Sequence, residues 1–287
     1  MSLQNDSRAY ARNSGHEHDL VHPHDLIPQP GHNRILPYVQ RWVAGTNGNL
    51  YIPAINKLDR YPIPCWPGSY APYPGATMLD IGCGWGRWMV AAARAGWTPC
   101  GIDLKQDAVR AARDVLRAHR CVGTAVSGDL TALPFADAAF DLAFSYSVLQ
   151  HVSRDRARTC LREILRVLRP GGHCLIELPL HPGLTNWRHG NNEPDDPNSW
   201  DVRYYRWREL RDAFSPFSDM RVSTDCIFGI GVKWEDVDLL PWKYRPIPLI
   251  SEIFRFVTLV IPTLVRLSDS VYIRAQKPAR NCQTSSD

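Results

Sequence analysis

The sequence predicts an α/β protein built on a mostly parallel, doubly wound sheet, and two observations carry that expectation. Between Ala76 and about Leu180, short β-rich runs alternate with helical patterns, as successive βαβ units require. The first run closes on Leu79-Asp80-Ile81-Gly82-Cys83-Gly84-Trp85-Gly86, a glycine cluster at a strand-to-helix turn. Glycines there let the backbone pass close to a ligand where a β-carbon would collide.

Taken in order, strand one is Thr77 to Ile81, and a helix follows from about Arg87 to Ala95. Strand two, roughly Pro99 to Ile102, feeds a helix near Gln106 to Ala118. Strand three is about Gly123 to Ser127, and strand four is Asp141 to Ser145. A helix from Arg154 to Leu168 is stopped by Pro170-Gly171-Gly172, in which the proline cannot continue the helix and the glycines supply a turn. Strand five is His173 to Leu178. An irregular stretch then leads to a short amphipathic helix at Trp207 to Phe214, and the last strands are Met220 to Phe228 and Val271 to Ala275.

This divides the chain into a polar tail (1–34), a proline- and aromatic-rich extension (35–75), a catalytic-type domain (76–277) and a short tail (278–287). Two insertions interrupt the domain, at about 179–203 and 229–269. The extension has few periodic runs and is expected to wrap the domain surface or help close a pocket. The tail histidines, His16, His18, His22, His24 and His32, are irregularly spaced and joined by no cysteine, so no metal site is expected.

The net charge of +4 over 287 residues is small and dispersed, so no nucleic-acid partner is expected. Eight scattered cysteines without a CxxC pair, and no apolar signal segment, suit reduced thiols and a cytoplasmic location. The longest apolar stretch, Phe256 to Val265, is interrupted by Pro262 and too short to span a bilayer. A peripheral membrane contact through 247–267 stays open.

The glycine loop admits three readings. A dinucleotide fingerprint needs a glycine at the sixth position counted from Gly82, and that position is Arg87. A tight turn without a ligand is the second. The third is an acidic residue followed by GxGxG, and here the chain resembles the class I S-adenosylmethionine-dependent methyltransferases from Thr77 to Ala275, most closely between Leu79 and Gly172. The matches outside the loop are Gly101-Ile102-Asp103-Leu104, Gly128-Asp129-Leu130, the strand-four end Ser145-Tyr146-Ser147-Val148-Leu149-Gln150-His151, and Leu165 to Gly172.

The resemblance implies a Rossmann-like sheet with an antiparallel last strand, cap insertions, and S-adenosyl-L-methionine as cofactor. It implies that Asp80, Gly82, Gly84 and Gly86 line the amino-acid end of the cofactor. Asp103, with Leu104 beside it, falls at the ribose, where an acceptor-only carboxylate can take both hydroxyls. Asp129 and Leu130 fall at the adenine, and Ser145 at the strand edge beside the transferable methyl group. Asp103 as a helix N-cap and Asp129 as a plain turn residue are the alternatives. No Asn/Asp-Pro-Pro-Tyr/Phe sequence follows strand four, which weighs against enzymes that methylate nucleobase amines.

Methyl transfer needs chiefly an aligned nucleophile in a site screened from water, together with a base for the acceptor proton. His151 is the best-placed base, with His181, His189, Tyr204 and Tyr205 behind it. The antiparallel last strand that the resemblance implies puts both insertions on the same sheet edge, where they are expected to roof one pocket. The intervals from Leu249 through Ile253, Phe256 and Leu259 to Pro262 predict an apolar helical face, read either as a cap packed on the sheet or as a greasy lid. Trp187, Arg188, Asn191, Asn192 and Trp200 suit a sugar. The expected activity is therefore methyl transfer, on oxygen, to a small-molecule, glycan or lipid-linked acceptor. A catalytically silent module of the same fold is the alternative.

Overall fold

The computed structural model describes residues 35–46, 51, 60–68, 71–188, 201–228 and 231–279. Its centre is a seven-stranded sheet. The strands are β1 (Thr77–Ile81), β2 (Thr98–Asp103), β3 (Thr124–Ser127), β4 (Phe140–Ser145), β5 (Leu168–Pro179), β6 (Ser218–Cys226) and β7 (Ser270–Gln276). They lie in the order β3-β2-β1-β4-β5-β7-β6. The first five are mutually parallel, and β7 runs antiparallel to both of its neighbours. This is the expected Rossmann-like doubly wound sheet with its reversed last strand.

The central strands are buried on both faces, which is why β1 and β4 read as near-continuous apolar runs rather than alternating ones. Helices α2 (Arg87–Arg94) and α3 (Gln106–Ala118) cover one face. In α3 the buried residues Ala108, Val109, Ala111, Ala112, Val115 and Leu116 form one stripe, with Asp107 in the first turn and Arg117 in the last. Helix α4 (Arg154–Val167) covers the other face, capped by the Ser153 side chain accepting from Arg156 N–H, and the short helix α5 (Trp207–Ala213) follows β5.

Three sequence expectations are corrected. Strand β5 begins at Leu168 rather than His173, because the Pro-Gly-Gly segment is drawn into the sheet. Gly171 N–H donates to the Lys277 carbonyl and Lys277 N–H to the Gly172 carbonyl, at 3.0 and 2.8 Å. The extension contains a helix, α1 (Pro37–Gly45), whose proline lies in the first turn, where its missing N–H costs nothing. Finally, the apolar face of helix α6 (Pro246–Val260) is not packed on the sheet: Leu249, Ile250, Ile253, Phe256 and Leu259 are exposed.

Helix α1 contributes Ile35-adjacent Val39 and Val43 to the same apolar cluster as Met78, Met89 and Val115. Its end also reaches the glycine loop, where Trp85 Nε1–H donates to Thr46 Oγ1 at 2.7 Å. At the opposite side, buried Asp269 ties the two insertions together. It accepts from Thr185 N–H (2.7 Å), Asn186 N–H (3.0 Å), the Thr185 hydroxyl (2.7 Å) and Phe228 N–H.

Candidate active site

Strand β1 ends at Ile81, and the chain turns sharply because Gly82 N–H and Cys83 N–H both donate to the Ile102 carbonyl of β2, at 2.8 and 3.0 Å. Gly82, Gly84 and Gly86 all take positive φ. A β-carbon on Gly86 would sit 3.0 Å from Ala112 Cα of α3, and one on Gly82 would strike Val148 beyond β4. The close helix approach that a dinucleotide fingerprint assigns to a sixth-position glycine is thus made by the fifth, Gly86. Gly84 differs: nothing lies within 4 Å of where its β-carbon would be. The loop is open to a ligand at Gly84 and closed by protein on either side.

Two carboxylates underlie this opening. Asp80 on β1 is 1% exposed, and its Oδ2 finds no hydrogen-bond partner among the described residues. Burial, reinforced by the negative charge of Asp103, pushes its pKa up to about 8. Asp103, at the end of β2, accepts Gly84 N–H at 3.0 Å and Lys105 N–H at 2.9 Å, one on each oxygen. Each oxygen keeps a second lone pair for a ligand hydroxyl. Leu104 beside it is exposed. The residues present therefore fit a ligand bearing an ammonium group and a vicinal diol.

The remaining expected residues are placed as follows. Asp129 follows β3, and its Oδ1 accepts the N–H and hydroxyl of Thr131, each at 2.8 Å, while Arg156 reaches both oxygens at 3.2 Å. The Thr131 hydrogen bonds and then Arg156 hold its carboxyl below the usual range. Leu130 packs against the α4-side core. Ser145 is fully buried and its hydroxyl donates to the Ile81 carbonyl at 3.4 Å. His151 ends a short 3₁₀ turn, Leu149–His151, with Nε2 3.3 Å from Gln150 Nε2. Tyr205 is buried with its hydroxyl on the Leu149 carbonyl at 3.5 Å, and His181 N–H donates to the Tyr205 carbonyl at 2.9 Å. Trp187 is exposed on the 3₁₀ turn Asn186–Arg188. His189, Asn191, Asn192, Trp200 and the tail histidines lie outside the described residues.

A buried polar cluster where β4 and β5 end, β6 ends and β7 begins was not legible in the sequence. Glu177 Oε2 accepts Ser147 N–H at 2.8 Å, where Ser147 has positive φ, and Glu177 Oε1 accepts the Ser270 hydroxyl. Asp225 pairs with Lys233 and accepts the Tyr146 hydroxyl at 3.0 Å. The Lys233 ammonium lies over the rings of Tyr146 and Tyr272, 4.8 and 5.4 Å from their centroids. Burial, then the neighbouring Asp225 charge, pushes Glu177 up to about 7, whereas Lys233 holds Asp225 below the usual carboxylate range against its burial. Arg87, whose sequence position only excluded a dinucleotide loop, makes a buried ion pair with Asp236 of the second insertion at 3.3 Å. A charge beside the glycine loop was visible, but a partner 149 positions away was not.

Residues 78–172 match the family model of a methyltransferase domain. Over 102 residues the chain is 40% identical to an uncharacterized methyltransferase of Mycobacterium avium, covering 36% of this chain and 39% of that protein. It is 38% identical over 107 residues to the malonyl-[acyl-carrier protein] O-methyltransferase of Erwinia pyrifoliae, covering 36% and 38%. It is 26% identical over 186 residues to the 2-methyl-6-phytyl-1,4-hydroquinone methyltransferase of Synechocystis, covering 64% and 54%. The matched stretches thus span about half or less of these relatives' lengths. Strand order, the opening at Gly84 and the matched stretch agree: residues 78–172 form a methyltransferase domain of the class I, S-adenosylmethionine-dependent type.

Proposed function

We propose that this chain transfers a methyl group from S-adenosylmethionine to a small-molecule acceptor, on oxygen, at the C-terminal edge of the sheet. The observation that carries the reading is the Asp80 carboxylate, buried beneath the glycine loop with one oxygen unpartnered. Such a group is costly to bury ionised, and a ligand ammonium offsets that cost. Asp80, Gly82, Gly84 and Gly86 would hold the amino-acid end, Asp103 and Leu104 the ribose, Asp129 and Leu130 the adenine, and Ser145 would back the strand edge.

When bound, the cofactor supplies an electrophilic methyl group on a sulfonium sulfur. The residues of this chain align the acceptor and exclude water from it. His151 takes the acceptor proton, since it follows the β4 edge at which the acceptor is expected. Two relatives support this acceptor class, one named for O-methylation of a malonyl-[acyl-carrier protein] and one for methylation of a substituted hydroquinone.

Calorimetric titration of the protein with S-adenosylmethionine, its demethylated product and NAD tests the cofactor reading. Binding of the first two and not of NAD is expected, and Asp103→Ala should weaken it by about 1–3 kcal/mol through loss of a charged acceptor. Folded protein that binds neither sulfonium cofactor nor product would defeat the proposal, and unchanged affinity in Asp103→Ala would remove the ribose assignment. A labelled-methyl screen against small-molecule, glycan and lipid-linked acceptors then reads the substrate class. Tight cofactor binding with no transfer in any fraction would favour a catalytically silent module.

A further inference from the structure

We propose that helix α6 and the turn after it dock this protein onto an anionic membrane surface. The helix is inside out. Its polar side chains face the protein, where Ser251 Oγ donates to the Ile227 carbonyl at 3.3 Å and Arg255 donates to the Asp225 carbonyl at 2.9 Å. Thr258 receives the Thr224 hydroxyl at 3.0 Å on the same side. Its apolar side chains face outward, with Phe256 67% and Leu259 71% exposed, and with Leu249, Ile253 and Val260 beside them. Leu267 and Leu184, both exposed, add two further apolar side chains, and Leu184 N–H donates to the Leu267 carbonyl at 2.8 Å. Large contiguous apolar surfaces of this kind mark interaction sites.

The charges around this face select its partner. Between residues 241 and 267 the charged side chains are Lys243, Arg245, Arg255 and Arg266 against Glu252. Glu252 is paired with Arg255 at 3.0 Å, so the net charge left over is positive and sits at the rim: Lys243 and Arg245 before the helix, Arg266 after it. Trp242, 82% exposed, stands with Lys243 and Arg245. An aromatic ring and cations flanking an apolar face are what an interfacial helix presents to lipid headgroups. A two-fold contact between copies through the same face would set like-charged rims against each other, whereas anionic headgroups neutralise them. Residues 1–34 are too polar to supply a matching apolar segment. No described helix is long and apolar enough to cross a membrane, so α6 would lie in the interface plane.

Co-sedimentation of the full chain with phosphatidylcholine vesicles, with and without phosphatidylglycerol, tests this without reference to methyl transfer. Partition onto the anionic vesicles is expected, falling at least about tenfold in the double variant Phe256→Glu, Leu259→Glu, which removes apolar insertion. The pair Lys243→Glu, Arg245→Glu should lose about tenfold on anionic vesicles and nothing on neutral ones. All four side chains are exposed, so thermal melts should match the parent's. No binding of the parent chain, or binding that the Phe256→Glu, Leu259→Glu variant retains, overturns the proposal. So does a dimer in sedimentation velocity that this variant disperses, which would assign the face to a second copy.

Discussion

Glu177 joins two events that are remote in the chain, holding the left-handed backbone of Ser147 through its N–H and the start of β7 through the Ser270 hydroxyl. Its folded pKa of about 7 lies above the ordinary 4.5, so the folded state binds more protons than the unfolded state between those values. The resulting stabilisation is complete below the lower value and is lost as pH rises through the upper one. Glu177→Gln keeps an oxygen for Ser147 N–H and an amide for the Ser270 hydroxyl without a charge to bury. We expect urea denaturation to find that the variant loses less stability than the parent across this window, the remaining slope being carried by buried Asp80, and that it lies above the parent on the alkaline side. A parent-like slope in the variant would mean that Glu177 does not carry the effect. Asp80 and Asp103 were legible in the sequence because their meaning is local, set by spacing from three glycines. Glu177, Asp225 and Lys233 were not, because only the strand order brings them together.

Elements differ in legibility for the same reason. The helix α3 and strand β1 announce themselves by a local stripe and a local apolar run, and their boundaries match the expectation. Helix α1 was hidden by Pro37 in a proline-rich neighbourhood, although its buried Val39 and Val43 are four apart, as one helical face requires. For α6 the periodicity correctly gave a helix but left open whether its apolar face packs on the sheet or lies outward, and the face is exposed. The sequence pattern could not register that Ser251, Arg255 and Thr258 have partners on β6 and just beyond it. The geometry of both insertions depends on Asp269, whose carboxylate takes three backbone N–H groups. Asp269→Ala leaves these donors with no acceptor, and a loss of about 3 kcal/mol or more is expected in chemical denaturation. A change within experimental error would show that water replaces the carboxylate.

At the scale of the molecule, the second insertion is fastened to the glycine loop by the Arg87–Asp236 pair, with Arg87 5% and Asp236 0% exposed. Removing one partner strands a buried charge, so Arg87→Ala should cost about 3–5 kcal/mol, whereas Arg87→Met with Asp236→Leu should cost much less than the two single changes added together. A double-mutant cycle by urea denaturation checks this, and strict additivity would deny the coupling.

The contact between Trp85 and Thr46 also bears on where this chain can be cut. The methyltransferase-domain match begins at residue 78, which invites a minimal fragment starting there. Such a fragment would discard Ile35, Val39, Val43 and Ile63, all members of the buried cluster that also holds Met89 and Trp88, and would strip the hydroxyl from the Trp85 indole. A fragment that keeps this cluster whole therefore starts at or before Ile35. The family boundary in the sequence and the folding boundary in space fall some forty residues apart.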